Sequence, residues 1–202
     1  MRSENFVSIV AMSSKQVIFV LGGPGCGKGT QATRIAQKYG IGYAAAGDIL
    51  REVAKKTDTE IGRKVAEIIN SGQLVPPELI CQTIKNVIES SDKEYFLMDG
   101  FPRSIEQAEA FEKVFPPCTA VALLDAPDEV LIARCSERGK TSGRADDRAE
   151  CIPNRITVYK KQTQPVLEKY TKEGKVFIVN SNQPIDDVTE EFVQKLRKYW
   201  KI

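Results

Sequence analysis

Val17-Ile18-Phe19-Val20-Leu21-Gly22-Gly23-Pro24-Gly25-Cys26-Gly27-Lys28-Gly29-Thr30 is the stretch on which the reading of the whole chain turns. Five of the 14 glycines crowd into residues 22–29. A β-branched and aromatic run ends, and the chain turns through positions where glycine lets backbone approach a ligand. A helix then starts whose N–H groups and dipole face an anion. Gly22, Gly27 and Lys28 fit the G-x-x-x-x-G-K pattern, in which amides wrap the α- and β-phosphates and the ammonium reaches the β and γ oxygens. Gly29 stands where Ser or Thr usually helps hold magnesium, with Thr30 one residue late. Direct metal ligation by this loop is therefore not expected. A plain turn needs one or two glycines or prolines, not five with a lysine.

Outward from this loop, short apolar runs alternate with helix-period segments, the pattern of βαβ units around a parallel sheet. Strands are predicted at Gln16 to Leu21, Tyr43 to Ala45, Tyr95 to Met98, Thr119 to Leu124 and Lys175 to Val179. Ala32, Ile35, Ala36 and Tyr39 recur at helical spacing, with Gly40 as the stop. Asp48 is expected to cap a second helix carrying Ile49, Leu50 and Val53, and Ile61, Val65, Ile68 and Ile69 mark a third. From Thr57 to Ser90 no strand is predicted, so this stretch should stand off the sheet as a helical insert. The turn Gly72-Gln73-Leu74-Val75-Pro76-Pro77 either presents backbone groups to a ligand or simply joins two helices. Val188, Phe192, Leu196 and Tyr199 define a last helix that closes the core.

Composition narrows the function. At 202 residues the chain suits one domain. Lys and Arg number 29 against 27 Asp and Glu, a net charge of +2, which gives no whole-surface field of the kind that holds nucleic acid. Anions must be met by local clusters. The absence of histidine removes imidazole acid–base chemistry and most zinc sites. Cys26, Cys81, Cys118, Cys135 and Cys151 are odd in number and form no C-x-x-C pair, which predicts reduced thiols and a cytoplasmic setting. Cys26 reads either as a reactive thiol in an electropositive loop or as a small buried residue. No segment approaches the roughly 18 apolar residues of a membrane span. Residues 1–15 read as a tail, too weakly patterned for a targeting peptide.

Two further clusters carry chemistry. Asp99-Gly100-Phe101-Pro102-Arg103 puts a carboxylate, a tight turn and a guanidinium at the carboxyl end of a predicted strand, the edge at which open α/β sheets bind ligands. Asp99 either orients water on magnesium or caps the next helix. The segment from Arg138 through Arg144 to Arg148, followed by Arg155, is polar, strand-free and rich in the planar fork that grips phosphate. It reads as a flap over the site, or as a solvated face in which Glu137, Asp146 and Asp147 pair with the arginines.

Through GGPGCGKGTQ, AAAGDILR, GQLVP, FLMDGFPR with a Gln four residues after the Arg, and RGKTSGRADD, the chain resembles the nucleoside monophosphate kinases, which include adenylate kinase and UMP/CMP kinase. The match covers nearly everything after residue 15. It implies an α/β fold with a five-stranded parallel sheet, helices on both faces, a helical monophosphate-binding insert at about 46–75 and a short lid at about 138–147. On matching positions it implies that Gly25, Cys26, Gly27, Lys28, Gly29 and Thr30 hold ATP phosphates, with Lys28 following the transferred group. Arg51 and Arg103 correspond to the clamp on the acceptor phosphate, Arg138 to a lid contact with ATP, and Arg144 and Arg155 to bridges between donor and acceptor. Gln73, Leu74 and Val75 correspond to backbone contacts with the acceptor nucleoside, while Ala46, Gly100, Phe101, Pro102 and Gln107 line its pocket. Gln183 corresponds to a carbonyl that meets the ATP adenine, and Asp99 to an outer-shell partner of a magnesium ion carried with ATP.

The chemistry suits these residues. Joining two polyanions requires positioning and positive charge, and the attacking phosphate oxygen is already an anion, so no strong base is needed. A closing lid excludes water that would hydrolyse ATP. The acceptor signals disagree. Ala46 is the UMP/CMP kinase choice where adenylate kinases carry Thr or Ser, whereas Gln107 is the adenylate kinase choice where many UMP/CMP kinases carry Asn. Ala45 stands where the family usually has Ser. UMP or CMP is expected as acceptor ahead of AMP, and a monomer is expected. From other classes, a nucleotide-driven switch and an inactive scaffold of the same fold remain; no N-K-x-D guanine motif occurs.

Overall fold

The computed structural model describes residues 14–70, 75–140 and 151–202. Its centre is a five-stranded, all-parallel sheet in the order β2-β3-β1-β4-β5. The strands are β1 (Gln16–Leu21), β2 (Gly42–Ala45), β3 (Tyr95–Asp99), β4 (Ala120–Asp125) and β5 (Val176–Asn180). β1 is the middle strand, so the glycine-rich loop that follows it opens at the centre of the sheet's carboxyl edge. The last three strands each run one residue further than the apolar runs suggest, to Asp99, Asp125 and Asn180. The ladder continues through these polar residues, Ala45 and Val20 flanking Asp99 and Asp125 facing Asn180, because backbone pairing persists until a turn ends it.

Alternation along β1 sorts the core into two layers. Val17, Phe19 and Leu21 face a layer built from α4 (Pro77–Glu89), α5 (Ile105–Val114) and α8 (Gln164–Lys172). Ile18 and Val20 face α1 (Lys28–Tyr39), α9 (Ile185–Leu196) and Trp200. Phe19 sits edge-on to Phe101, Phe111 and Tyr170 at 5.8, 5.3 and 5.9 Å. Burying each such ring contributes about 2 kcal/mol, with up to ~1 kcal/mol more for each edge-to-face pair.

Three sequence expectations change. The helix α2 (Ala46–Ala54) starts directly where β2 ends, so Asp48 is not its cap: Ala45 takes that position and Asp48 lies in the first turn, paired with Arg51. The insert is smaller than the strand-free stretch suggests. α3 (Glu60–Asn70) packs on α2, but α4 buries Ile80, Cys81, Ile84 and Ile88 in the sheet core and belongs to the main body. The lack of a strand does not distinguish a standing-off helix from a core helix; the apolar face of α4 does. Finally α5 is capped by Ser104, whose hydroxyl accepts from the Gln107 N–H, so Asp99 is not a helix cap.

Two more helices complete the described chain. α6 (Asp128–Gly139) follows β4, and α7 (Ile152–Val158) passes through a π-helical segment, Tyr159–Thr163, into α8. Pro165 in the first turn of α8 cannot donate to the carbonyl one turn back, which accounts for the wider turn before it. No helix among the described residues is long and apolar enough to cross a membrane.

Candidate active site

The phosphate loop is moulded by main chain. Gly22 has φ 145° and Gly25 φ 84°. A Cβ on the first would lie 2.3 Å from the Leu124 carbonyl oxygen, and one on the second 2.5 Å from that of Leu131. Only glycine therefore seats the loop on the end of β4 and the side of α6. Gly27 (φ 88°) opens α1 with no side-chain cap, leaving the first amides of the helix directed at the cradle. The Lys28 ammonium folds back over the loop, donating to the carbonyls of Gly22 (2.8 Å) and Gly23 (2.9 Å) and to the Cys26 sulfur (3.4 Å). Cys26 is 1% exposed, which realises its reading as a small buried residue. Gly29 and Thr30 continue the first turn of α1, with Thr30 exposed.

Asp99 stands beside this cradle at the end of β3. Its Oδ2 accepts the Tyr43 hydroxyl at 3.1 Å and lies 3.2 Å from where a Cβ on Gly29 would be. Burial pushes its carboxyl above the ordinary range, against the pull of Lys28, of the Tyr43 hydroxyl and of Arg103. Burial likewise pushes the Tyr43 phenol far upward, so it is a permanent donor. Among the described residues no group of three or more His, Cys, Asp or Glu is arranged to hold a metal. A single carboxylate, oriented by the Tyr43 hydroxyl, suits a hard cation that arrives with phosphate and water as most of its ligands, not one caged by protein.

The corner expected to take the acceptor phosphate is built from side chains. Arg51 on α2 pairs with Asp48 and lies against Gly47. Arg103 donates from Nε to the Gly100 carbonyl at 2.9 Å, and Gly100 N–H in turn donates to the Val20 carbonyl at 3.2 Å. Gln107 is 4% exposed, not a surface residue: its Oε1 accepts the Arg103 N–H at 2.9 Å, and its Nε2 donates to the Val75 carbonyl at 3.4 Å. Both ends of the amide are thereby assigned. Phe101 and Pro102 are buried, Phe101 at 1% as part of the core, and the Phe101–Pro102 peptide is cis. Ala46, 4% exposed, opens α2.

Arg138 and Arg155 lie on helices that border the loop. The loop's seat at Gly25 touches Leu131 and Cys135 of α6, and Arg138 follows three residues later at the helix end. The Tyr159 ring comes within 3.7 Å of a Cβ placed on Gly23, and Arg155 lies one turn earlier in α7. Gln183, just before α9, donates its side-chain amide to Glu191 at 2.7 Å. Lys28, Asp99, Arg103 and the Asp48–Arg51 pair thus gather at the carboxyl ends of β1, β3 and β2, with α6 and α7 against the same loop. Gln73, Leu74, Arg144 and most of the expected lid lie outside the described residues, as does nearly all of the expected tail. Sequence reasoning missed Tyr43, Tyr159 and Thr163. The first sits in the shortest predicted strand, and the other two in a helix whose π segment obscures its period; Gln164-Pro165 was the available signal.

The adenylate kinase family model matches residues 20–175. The chain is 39% identical over 186 residues to the UMP-CMP kinase of Gallus gallus and 38% identical over 186 residues to that of Homo sapiens, each alignment covering 88% of this chain and 95% of the relative. It is 40% identical over 191 residues to the UMP-CMP kinase of Lentinula edodes, covering 89% of this chain and 84% of the relative.

Proposed function

The chain belongs to the adenylate kinase family, and from that membership we propose that it reversibly transfers the γ-phosphoryl group of MgATP to UMP or CMP. An oxygen of the monophosphate forms a new bond to the γ-phosphorus while the bond to the β,γ-bridging oxygen breaks, giving ADP and a nucleoside diphosphate. The observation that carries this reading is the meeting of Lys28, Asp99 and Arg103 at adjacent strand ends beside a glycine cradle. One phosphate chain can then lie along the loop while a second phosphate meets Arg103 and Arg51.

Within the site, Gly25 to Thr30 hold the ATP phosphates and Lys28 leaves its carbonyl partners for the transferring oxygens. Arg51 and Arg103 grip the acceptor phosphate. Arg138, Arg144 and Arg155 neutralise charge spread over the equatorial oxygens. Val75, with Gln73 and Leu74, borders the acceptor nucleoside beside Ala46 and Gln107, and the Gln183 carbonyl meets the adenine of ATP. Asp99 is the residue that would hold magnesium, which when bound would withdraw charge from the phosphates.

UMP and CMP are favoured because the relatives described above carry that name and because Ala46 leaves no hydroxyl at the pocket. The protein acts as a monomer in the cytoplasm on this reading. Measuring kcat/KM for UMP, CMP and AMP with ATP tests it. UMP or CMP should exceed AMP by at least about tenfold. A tenfold preference for AMP would overturn the choice of base, and hydrolysis of ATP to ADP and inorganic phosphate with no monophosphate converted to its diphosphate would overturn the transferase reading.

A further inference from the structure

Arg103 is held by more than its side chain. Its N–H donates to Gln107 Oε1 at 2.9 Å, and its carbonyl accepts the Thr163 hydroxyl at 3.2 Å, from a residue 60 positions away. One peptide flank therefore leads through Gln107 to the Val75 carbonyl, at the end of the insert, and the other leads into the α7–α8 run that carries Arg155.

Thr163 is suited to this bond by its place. It is 5% exposed and ends the π segment Tyr159–Thr163. A helical threonine ordinarily turns its hydroxyl back to the carbonyl one turn earlier. Here that carbonyl, on Tyr159, accepts the Gln164 N–H across the π turn, while the Thr163 hydroxyl reaches over to Arg103. The widened turn and the long-range bond occur together, and π segments within helices are frequent at functional sites. The same segment begins with Tyr159, whose ring lies against the phosphate loop at Gly23. Five residues thus span from the donor cradle to the acceptor clamp.

We infer that Thr163 is a positioning residue for phosphoryl transfer: its hydroxyl fixes the Arg103 peptide against the α7–α8 helical run, registering the acceptor clamp on the helix that bears Arg155. The inference rests on the proposed role of Arg103 as an acceptor contact. On this inference the effect of Thr163 passes through the Arg103 carbonyl.

The test compares Thr163→Val, which keeps shape and loses the donor, with Thr163→Ser, which keeps the donor, in steady-state kinetics and in calorimetric titration with UMP alone. Thr163→Val should lower kcat/KM for UMP about five- to tenfold and weaken UMP binding, as expected for one lost buried hydrogen bond, with KM for ATP within about twofold. Thr163→Ser should return to within about twofold of the wild type. Equal losses for ATP and UMP, an unchanged UMP titration despite a lowered Tm, or a serine variant as weak as the valine variant would each overturn the inference. If the valine variant does not fold, Thr163→Ala against Thr163→Ser gives the same comparison. Arg103→Ala is measured alongside: should it leave UMP binding intact, the acceptor reading itself fails, whereas an effect at Arg103 without one at Thr163 refutes the positioning role alone.

Discussion

The proposed donor cradle and the proposed acceptor corner lie at adjacent strand ends and are held by opposite means. The cradle is main chain on main chain: Gly22 and Gly25 pressed against the carbonyls of Leu124 and Leu131, and Lys28 resting on two carbonyls of its own loop. The proposed acceptor corner is side chain on main chain: Gln107, at the start of α5 behind its cap Ser104, and Thr163, at the end of the π segment, reach in from two helical runs to fix a short turn. The first can be rigid before any ligand arrives, since its shape follows from backbone sterics. The second depends on several residues far apart in sequence being correct together, so single changes there should alter affinity for one substrate and leave the other alone.

The largest effect should follow from breaking the cradle's charge. Lys28→Met removes the cation meant to follow the transferred group, and kcat should fall by about 10³-fold with folding retained, because the loop's seat is made by glycines and not by lysine. Circular dichroism with a coupled assay checks both parts. Next comes the acceptor clamp. Arg103→Ala should cut kcat/KM for the monophosphate by about 10²-fold while KM for ATP moves less than about twofold. Gln107→Ala comes third: it leaves the Arg103 N–H and the Val75 carbonyl without their partner and should weaken the acceptor about tenfold, with a Tm lowered by several degrees. If ATP and acceptor were affected alike by either change, the division between the two regions would be wrong.

The smallest effect has the opposite sign in stability. Asp99 is raised above its ordinary value of 3.8 chiefly by burial, so the folded protein keeps a proton at pH values where the unfolded chain has lost it. The unfolded state then binds fewer protons, and stability declines as pH rises through the window above 3.8. Asp99→Asn should flatten that decline and raise the stability of the ligand-free protein near neutral pH by about 1 kcal/mol, or about 2–4 °C in Tm. Turnover should fall in the same variant and should not be restored by excess magnesium. Thermal melts at several pH values read the first part.

This contrast also explains how much was legible in the sequence. The cradle could be read because its determinants are contiguous: an apolar run, five glycines and a lysine within fourteen residues. The parallel sheet could be read because each strand is a short apolar block. Gln107 could be identified only through family resemblance, and Thr163 and Tyr43 not at all, since hydrogen bonds spanning 60 and 56 residues leave no local pattern. The strand-free stretch 57–90 does not stand off the sheet as one unit for a related reason: α4 differs from α3 not in helical character but in what its apolar face meets.

The central claim is that the two regions serve two nucleotides whose phosphates meet between them. Inhibition by a bisubstrate analogue, adenosine and uridine joined through five phosphates, tests this most directly. The account predicts that one molecule binds per chain and competes with both ATP and UMP, and that Lys28→Met and Arg103→Ala each weaken it. Competition with ATP alone, leaving UMP kinetics unaffected, would contradict the account.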